Sequence, residues 1–182
     1  MSVIDPSVTW RPIEERLAVE TDPSLRHNLE VVLAHMLAEA RLDLDGLMAT
    51  LHPDPHYHFF NGPARGELHG YAEVRAFYEA FAAAGTGKLQ LATDRLVVDR
   101  SCVITEGVMR MAFPARTLAL RGIVVDDAEA EYLFEDRTIT IWPFDDDGVL
   151  IGEDAYFAGA GFRGITERRI DPADIAAYAP PG

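Results

Sequence analysis

Leu25, Leu29, Val32, Leu33, Met36, Leu37 and Ala40 recur every three or four residues. That is the spacing of one face of an α-helix. Asp22-Pro23-Ser24 reads as its start, with Asp22 as N-cap and Pro23 at the first helical position. The helix is expected to end near Leu42. Asp43-Leu44-Asp45-Gly46 opens a short second helix through Leu51, closed by Pro53 and Pro55. An extended run from His56 to Phe60 ends at Asn61-Gly62-Pro63. A third helix begins after Gly70, with Tyr71, Val74, Phe77, Tyr78 and Phe81 on one face and Gly85 as its stop. After Gly85 the pattern changes to strand-like runs rich in β-branched and apolar residues. Leu89 to Val98, Cys102 to Phe113, Arg116 to Val125, Tyr132 to Phe144 and Val149 to Ala158 read as strands. Asp99-Arg100-Ser101 and Asp145-Asp146-Asp147-Gly148 read as turns.

Helices followed by strands predict an α+β fold with an antiparallel sheet. Residues 1–22 read as an N-terminal extension with a helical pattern from Pro12 to Glu20. Residues 23–158 read as the main domain. Residues 159–182 form a tail, with a short helix expected from Pro172 to Tyr178. A length of 182 residues suits one domain with a real core. With 16 basic against 30 acidic side chains, the net charge is −14. Such a surface repels phosphate backbones and anionic lipid, which argues against nucleic-acid and membrane partners. No apolar run approaches the roughly 18 residues of a membrane helix, and the start lacks a secretory pattern. A cytoplasmic protein is expected. The single cysteine, Cys102, excludes an internal disulfide and a cysteine-rich metal framework.

The candidate chemistry lies in polar residues that interrupt apolar strand faces. Cys102, Ile104, Glu106 and Val108 share one face, and Val149, Ile151, Glu153, Ala155 and Phe157 share another. Burying an unpaired carboxylate is costly, so such a group takes a proton, finds a partner or lines a wet cavity. In an apolar cavity its pKa rises, and it can transfer protons near neutral pH. The alternative is a structural ion pair, with Arg110 or Arg137. His35 flanks the apolar stripe of the first long helix, as a satisfied core or border residue or as a pocket acid, base or donor. Tyr78 lies on the apolar face of the third helix, with a hydroxyl that needs a partner. His52, His56, His58 and His69 fit no metal site by spacing, and no metal or other cofactor is expected.

Leu44-Asp-Gly-Leu-Met-Ala-Thr-Leu51, Asn61-Gly-Pro63 and Gly70-Tyr-Ala-Glu-Val-Arg-Ala-Phe-Tyr78, in this order, resemble the nuclear transport factor 2-like superfamily. Val103-Ile-Thr-Glu-Gly107 and Gly152-Glu-Asp-Ala-Tyr-Phe157 resemble its SnoaL-like branch. The resemblance spans roughly Ser24 to Phe157. It implies a cone, the cystatin-like α+β barrel: a curved antiparallel sheet wrapped around three N-terminal helices, with a pocket in the open end. The superfamily holds ketosteroid isomerases, polyketide cyclases, epoxide hydrolases, dehydratases and non-catalytic binders, so fold does not fix function. The isomerases' helical tyrosine falls at His35 and their supporting tyrosine at Phe77-Tyr78. Their aspartate base and second acidic donor fall near Phe59 and Thr140, so neither is present. The epoxide-hydrolase set, near Gly107, Met109 and Ala155, is absent as well. The resemblance implies that Glu106 and Glu153 face the pocket and that Tyr57, Trp142 and Phe157 are its apolar walls.

The resulting expectation is cofactor-free acid/base chemistry on an apolar carbonyl or hydroxyl compound: isomerisation, cyclisation or dehydration. His35, Glu106 and Glu153 are its catalytic candidates, and Tyr57, Tyr78, Trp142 and Phe157 its substrate-binding candidates. The alternative is a non-catalytic ligand-binding or dimerisation module. A homodimer is expected through the face of the sheet away from the helices, which on this reading carries Val103, Met109, Met111, Ile139 and Ile141.

Overall fold

A computed structural model describes residues 2–64 and 66–178. Four helices precede the main sheet strands or alternate with the first of them: α1 (Ser7–Leu17), α2 (Pro23–Ala40), α3 (Leu44–Met48) and α4 (Gly70–Ala84). Strands β1 (Leu51–Phe60) and β2 (Gly66–His69) lie between α3 and α4. Strands β3 (Leu89–Val98), β4 (Cys102–Pro114), β5 (Glu131–Pro143) and β6 (Leu150–Phe157) follow, with a short α5 (Ala115–Ala119) after β4. A two-residue β7 (Arg169–Ile170) lies in the tail.

The boundaries have local causes. The Asp22 carboxylate accepts from the Ser24 and Leu25 amides, satisfying two donors that open α2. Asp43 accepts from Gly46 at the start of α3. Gly85 closes α4 at φ 73°, in the left-handed region.

The strand order is β2-β1-β6-β5-β4-β3, with β7 added to β5. All pairs are antiparallel except β1 with β6, which run parallel. The fold is α+β as expected, but the sheet is mixed rather than wholly antiparallel. Local patterning sets which face a strand buries. It does not set which distant strand becomes its neighbour. The expected strand from Arg116 to Val125 is also corrected. It is α5 and a loop, with Leu118 fully buried but Leu120 and Val124 88% and 86% exposed.

One core cluster joins α1, α2 and α4 to the sheet through Trp10, Leu29, Val32, Met36, Tyr57, Tyr78 and Trp142. A second lies at the other end of the long strands, around Met111, Phe113, Phe134, Ile165 and Phe162. Residues 1–22 thus contribute directly to the core through Trp10 and Ile13 of α1. Ile4 bridges to Ile175, and with Ile170 they cover Ala112 and Leu133 on the outer face of the sheet. Of the expected tail helix, Pro172–Asp174 forms a single 3-10 turn.

Gly152 marks the contact of β6 with β1. A Cβ there would lie 1.9 Å from the His56 carbonyl oxygen, where β1 shifts register between Leu51 and His56. Gly152→Ala is therefore expected to destabilise the fold by about 2–4 kcal/mol, read by urea denaturation.

Candidate active site

The inner face of the sheet and the apolar sides of α2 and α4 enclose a cavity of about 410 Å³. Its walls are mostly apolar: Met36, Phe59, Phe77, Met109, Met111, Phe113, Trp142 and Phe157. Polar groups enter from a few positions. Glu39 comes from α2, Tyr78 from α4, Thr140 from β5 and Glu153 from β6. Glu153 shares its strand face with Ala155 and Phe157, which line the same cavity, as strand alternation requires.

Glu106 does not reach it. It pairs with Ile139 across β4–β5, on the outer face, and lies between Arg95 of β3 and Arg137 of β5. Arg137 Nη2 donates to its carboxylate at 2.6 Å. The hydrogen bond from Arg137 is the largest influence holding the Glu106 carboxyl below its usual range. The ion-pair alternative with Arg137 is the arrangement found, and it keeps Glu106 out of the cavity and away from any chemistry there. The same correction moves Val103, Met109 and Met111 to the inner face, where they bury against the helices or line the cavity. Ile139 stays outside, 40% exposed.

His35 and Tyr57 are also not lining residues. Both are fully buried, one layer behind the wall. His35 Nδ1 lies 2.8 Å from Thr50 Oγ1, and Thr50 Oγ1–H donates to the Leu47 carbonyl at 2.6 Å. A hydroxyl has one proton. Thr50 has given its proton to Leu47, so it must accept from His35, and the geometry assigns the proton of the neutral ring to Nδ1. Nε2 is then an acceptor. It meets the Tyr78 hydroxyl at 3.2 Å and the Tyr57 hydroxyl at 3.4 Å, and the two hydroxyls are 3.1 Å apart. The two shorter contacts give a chain: Tyr57 donates to Tyr78, and Tyr78 donates to His35. Burial lowers the His35 pKa to about 3, so the ring is neutral at physiological pH. Burial also raises both tyrosines well above their ordinary value.

Glu153 stands against this network, its Oε1 3.8 Å from His35 Nε2. That nitrogen carries a lone pair and cannot pair with a carboxylate. Burial first, and the charge of Glu39 second, push the Glu153 carboxyl well above its usual range. Glu39 was missed by sequence reading, although it follows His35 by one helical turn and so shares its side of α2. Burial raises its pKa from 4.5 to about 7. Among the described residues, neither carboxyl has a basic ion-pair partner apart from the neutral His35. The charge that Glu39 gains on ionising disfavours ionisation of Glu153. A carboxyl kept protonated beside one that ionises near neutrality supplies an acid and a base in one cavity.

The sequence profile of the SnoaL-like domain matches residues 32–149. The chain belongs to the SnoaL-like domain family of the nuclear transport factor 2-like superfamily. No curated protein matches the sequence. Solved SnoaL-like and related structures share its fold at low identity. A candidate SnoaL-like polyketide cyclase from Shewanella putrefaciens CN-32 is 12% identical with a TM-score of 0.62, covering 92% of this chain and 97% of its own. A nuclear transport factor 2-like protein from Burkholderia xenovorans LB400 is 16% identical with a TM-score of 0.57, covering 78% and 97%. TerC, crystallised with polyporic acid, is 18% identical with a TM-score of 0.56, covering 78% and 98%. No helix of this SnoaL-like chain, among the described residues, is long and apolar enough to cross a membrane.

Proposed function

We propose that the cavity takes an apolar small molecule bearing a ketone, enol or hydroxyl group and moves protons on it without a cofactor. Isomerisation, cyclisation and dehydration are the reactions this chemistry serves. The observation that carries the reading is the pair Glu39 and Glu153, two carboxyls with raised pKa facing one largely apolar cavity. Glu153 is the protonated member, because burial and the charge of Glu39 both hold its carboxyl well above its usual range. Glu39 is the base. In an isomerisation, Glu39 takes a proton from the carbon next to the carbonyl, and Glu153 delivers its proton to the carbonyl oxygen. Glu39 then gives that proton to another carbon of the enol as the enol hydroxyl proton returns to Glu153. His35 acts through Tyr78 and Glu153 as a positioning residue. Trp142, Phe157, Phe59 and Phe77 hold the apolar body of the ligand. That a chain of this fold has been crystallised with an organic molecule, polyporic acid, supports the small-molecule reading.

Deuterium exchange beside the carbonyl tests this, across cyclic and fused-ring ketones followed by NMR. The wild type should accelerate exchange in at least one ketone, and Glu39→Gln should lower that rate by about 100-fold. Ketones that bind tightly but exchange no faster than in buffer would instead make the protein a ligand-binding module.

We also propose a homodimer through the outer face of the sheet. Phe60 and Tyr156 stack there at 4.4 Å, 41% and 42% exposed, beside Ile139 in the same cross-strand row. Light scattering should return twice the 20.1 kDa chain mass, and Ile139→Glu should shift it to the monomer. A wild-type monomer at tens of micromolar would count against the dimer.

A further inference from the structure

Among the residues that line the cavity are four threonines, Thr9, Thr86, Thr117 and Thr140. A hydroxyl holds one proton, and when buried it needs an acceptor for it. Thr86 and Thr117 give theirs to the Phe81 and Ala84 carbonyls in the last turn of α4. Thr140 pairs with Ala155 across β5–β6 and belongs to the side of the cavity that holds Glu153. Thr9 is placed differently. Its Oγ1 accepts from the Leu91 amide at 3.0 Å, on β3 at the edge of the sheet. Among the described residues its own proton has no acceptor. The residue is only 8% exposed, so its neighbours close it off elsewhere and the cavity is the space that remains beside it. Thr9 comes from α1, outside the residues matched by the family profile. It is also remote from the acids. Helix α1 packs on β3, and β4 and β5 separate β3 from β6, which carries Glu153. The two positions are apart along the strands as well. Leu91 pairs with Met109 of β4, whereas Trp142, which packs on His35 beside Glu153, pairs with Val103.

Resting on the cavity being the ligand site, we infer that Thr9 is a specificity-determining residue: its hydroxyl donates to a second oxygen of the ligand, at the end remote from the reacting carbonyl. The ligand is then an elongated apolar body with an oxygen at each end. One oxygen takes the proton of Glu153, and the other accepts from Thr9. A ligand with a methylene in place of the second oxygen would leave the buried Thr9 donor unpaired, and a site built to make a hydrogen bond rejects such an analogue. Holding both ends also fixes which carbon stands before Glu39, the geometry that proton abstraction needs.

Calorimetric titration with two-, three- and four-ring fused ketones, each with and without a second carbonyl on its terminal ring, tests this. In the wild type the diketone of matching length should bind about fivefold more tightly than its monoketone. Thr9→Val keeps the shape of the side chain and removes the proton. It should weaken that diketone by about tenfold while changing the monoketone less than about threefold, and Thr9→Ser should retain the wild-type preference. If Thr9→Val misfolds through loss of the cap on Leu91, NMR contacts between the Thr9 methyl group and the terminal ring of the bound diketone decide the matter, and their absence overturns the inference. Monoketones that bind as tightly as every diketone overturn it and leave the cavity reading intact. A diketone preference that survives in Thr9→Val overturns it too. So does equal weakening of both ketones in that variant, which would make Thr9 a cap on the edge of β3 only. Binding of no ketone in the series overturns the inference together with the cavity reading.

Discussion

Glu153→Gln should lower proton exchange on a bound ketone by at least about 100-fold while leaving the fold intact. Glutamine has the shape of the protonated carboxyl that the native chain holds at this position, so packing is preserved and only the transferable proton is lost. The stability of the variant provides an independent check with a definite sign. The Glu153 pKa is raised well above 4.5 in the native chain. As pH climbs above that value, the unfolded chain releases a proton that the native chain keeps. Native stability therefore falls with rising pH until the folded pKa is reached. Glutamine has no such loss. Urea denaturation should give equal stability for variant and wild type at about pH 4 and a more stable variant at about pH 8. A variant less stable at the higher pH would mean that the native chain holds Glu153 ionised.

Thr50→Val should reverse the hydrogen-bond chain behind the cavity. It removes the acceptor for His35 Nδ1–H, and a buried unsatisfied donor costs about 1–3 kcal/mol. The ring avoids that cost by moving its proton to Nε2, which then donates to a tyrosine hydroxyl. Tyr78 no longer donates inward, and Glu153 no longer faces a lone pair. Long-range proton–nitrogen NMR should show His35 protonated at Nδ1 in the wild type and at Nε2 in Thr50→Val. Exchange activity should fall by about tenfold or more, and Thr50→Ser should restore both readouts. An Nε2-protonated ring in the wild type would contradict the assigned chain. The histidine also adds an acid limit. Its pKa falls from 6.5 to about 3 on folding, so below about pH 6.5 the unfolded chain takes up a proton that the native chain refuses. Native stability is lost as pH drops from there toward 3, opposite in sign to the effect of Glu153.

Residues whose role follows from their own element were legible in the sequence. The stripe on α2 placed His35 at the core, the face of α4 placed Tyr78, and alternation along β6 placed Glu153 with Ala155 and Phe157. Glu106 was misread because β4 is apolar on both faces. Ile104 and Val108 stand outside, and Val103, Met109 and Met111 inside, so alternation offers no contrast to orient the strand. Its partners Arg95 and Arg137 come from the two neighbouring strands, and no single-strand pattern contains them. The parallel pairing of β1 with β6 is equally non-local. Glu39 carried a usable signal, a carboxyl one turn from a core histidine. The tautomer of His35 depends on Thr50, fifteen residues away in the loop before β1, and needed the folded geometry.

The raised pKa values of Glu39 and Glu153 can be observed without any ligand. Carbon NMR of the glutamate side-chain carboxyls, titrated from acid to alkaline pH and assigned with Glu39→Gln and Glu153→Gln, follows each group directly. One carboxyl should titrate near 7, where burial places Glu39, while Glu153 stays protonated to higher pH. Glu39→Gln should also move the Glu153 pKa downward, because its negatively charged neighbour is gone, whereas Glu153→Gln should leave Glu39 near 7, because the neighbour it loses is neutral there. Titration of both carboxyls near the ordinary 4.5, with neither responding to loss of the other, would contradict the acid/base pair on which the proposed chemistry rests.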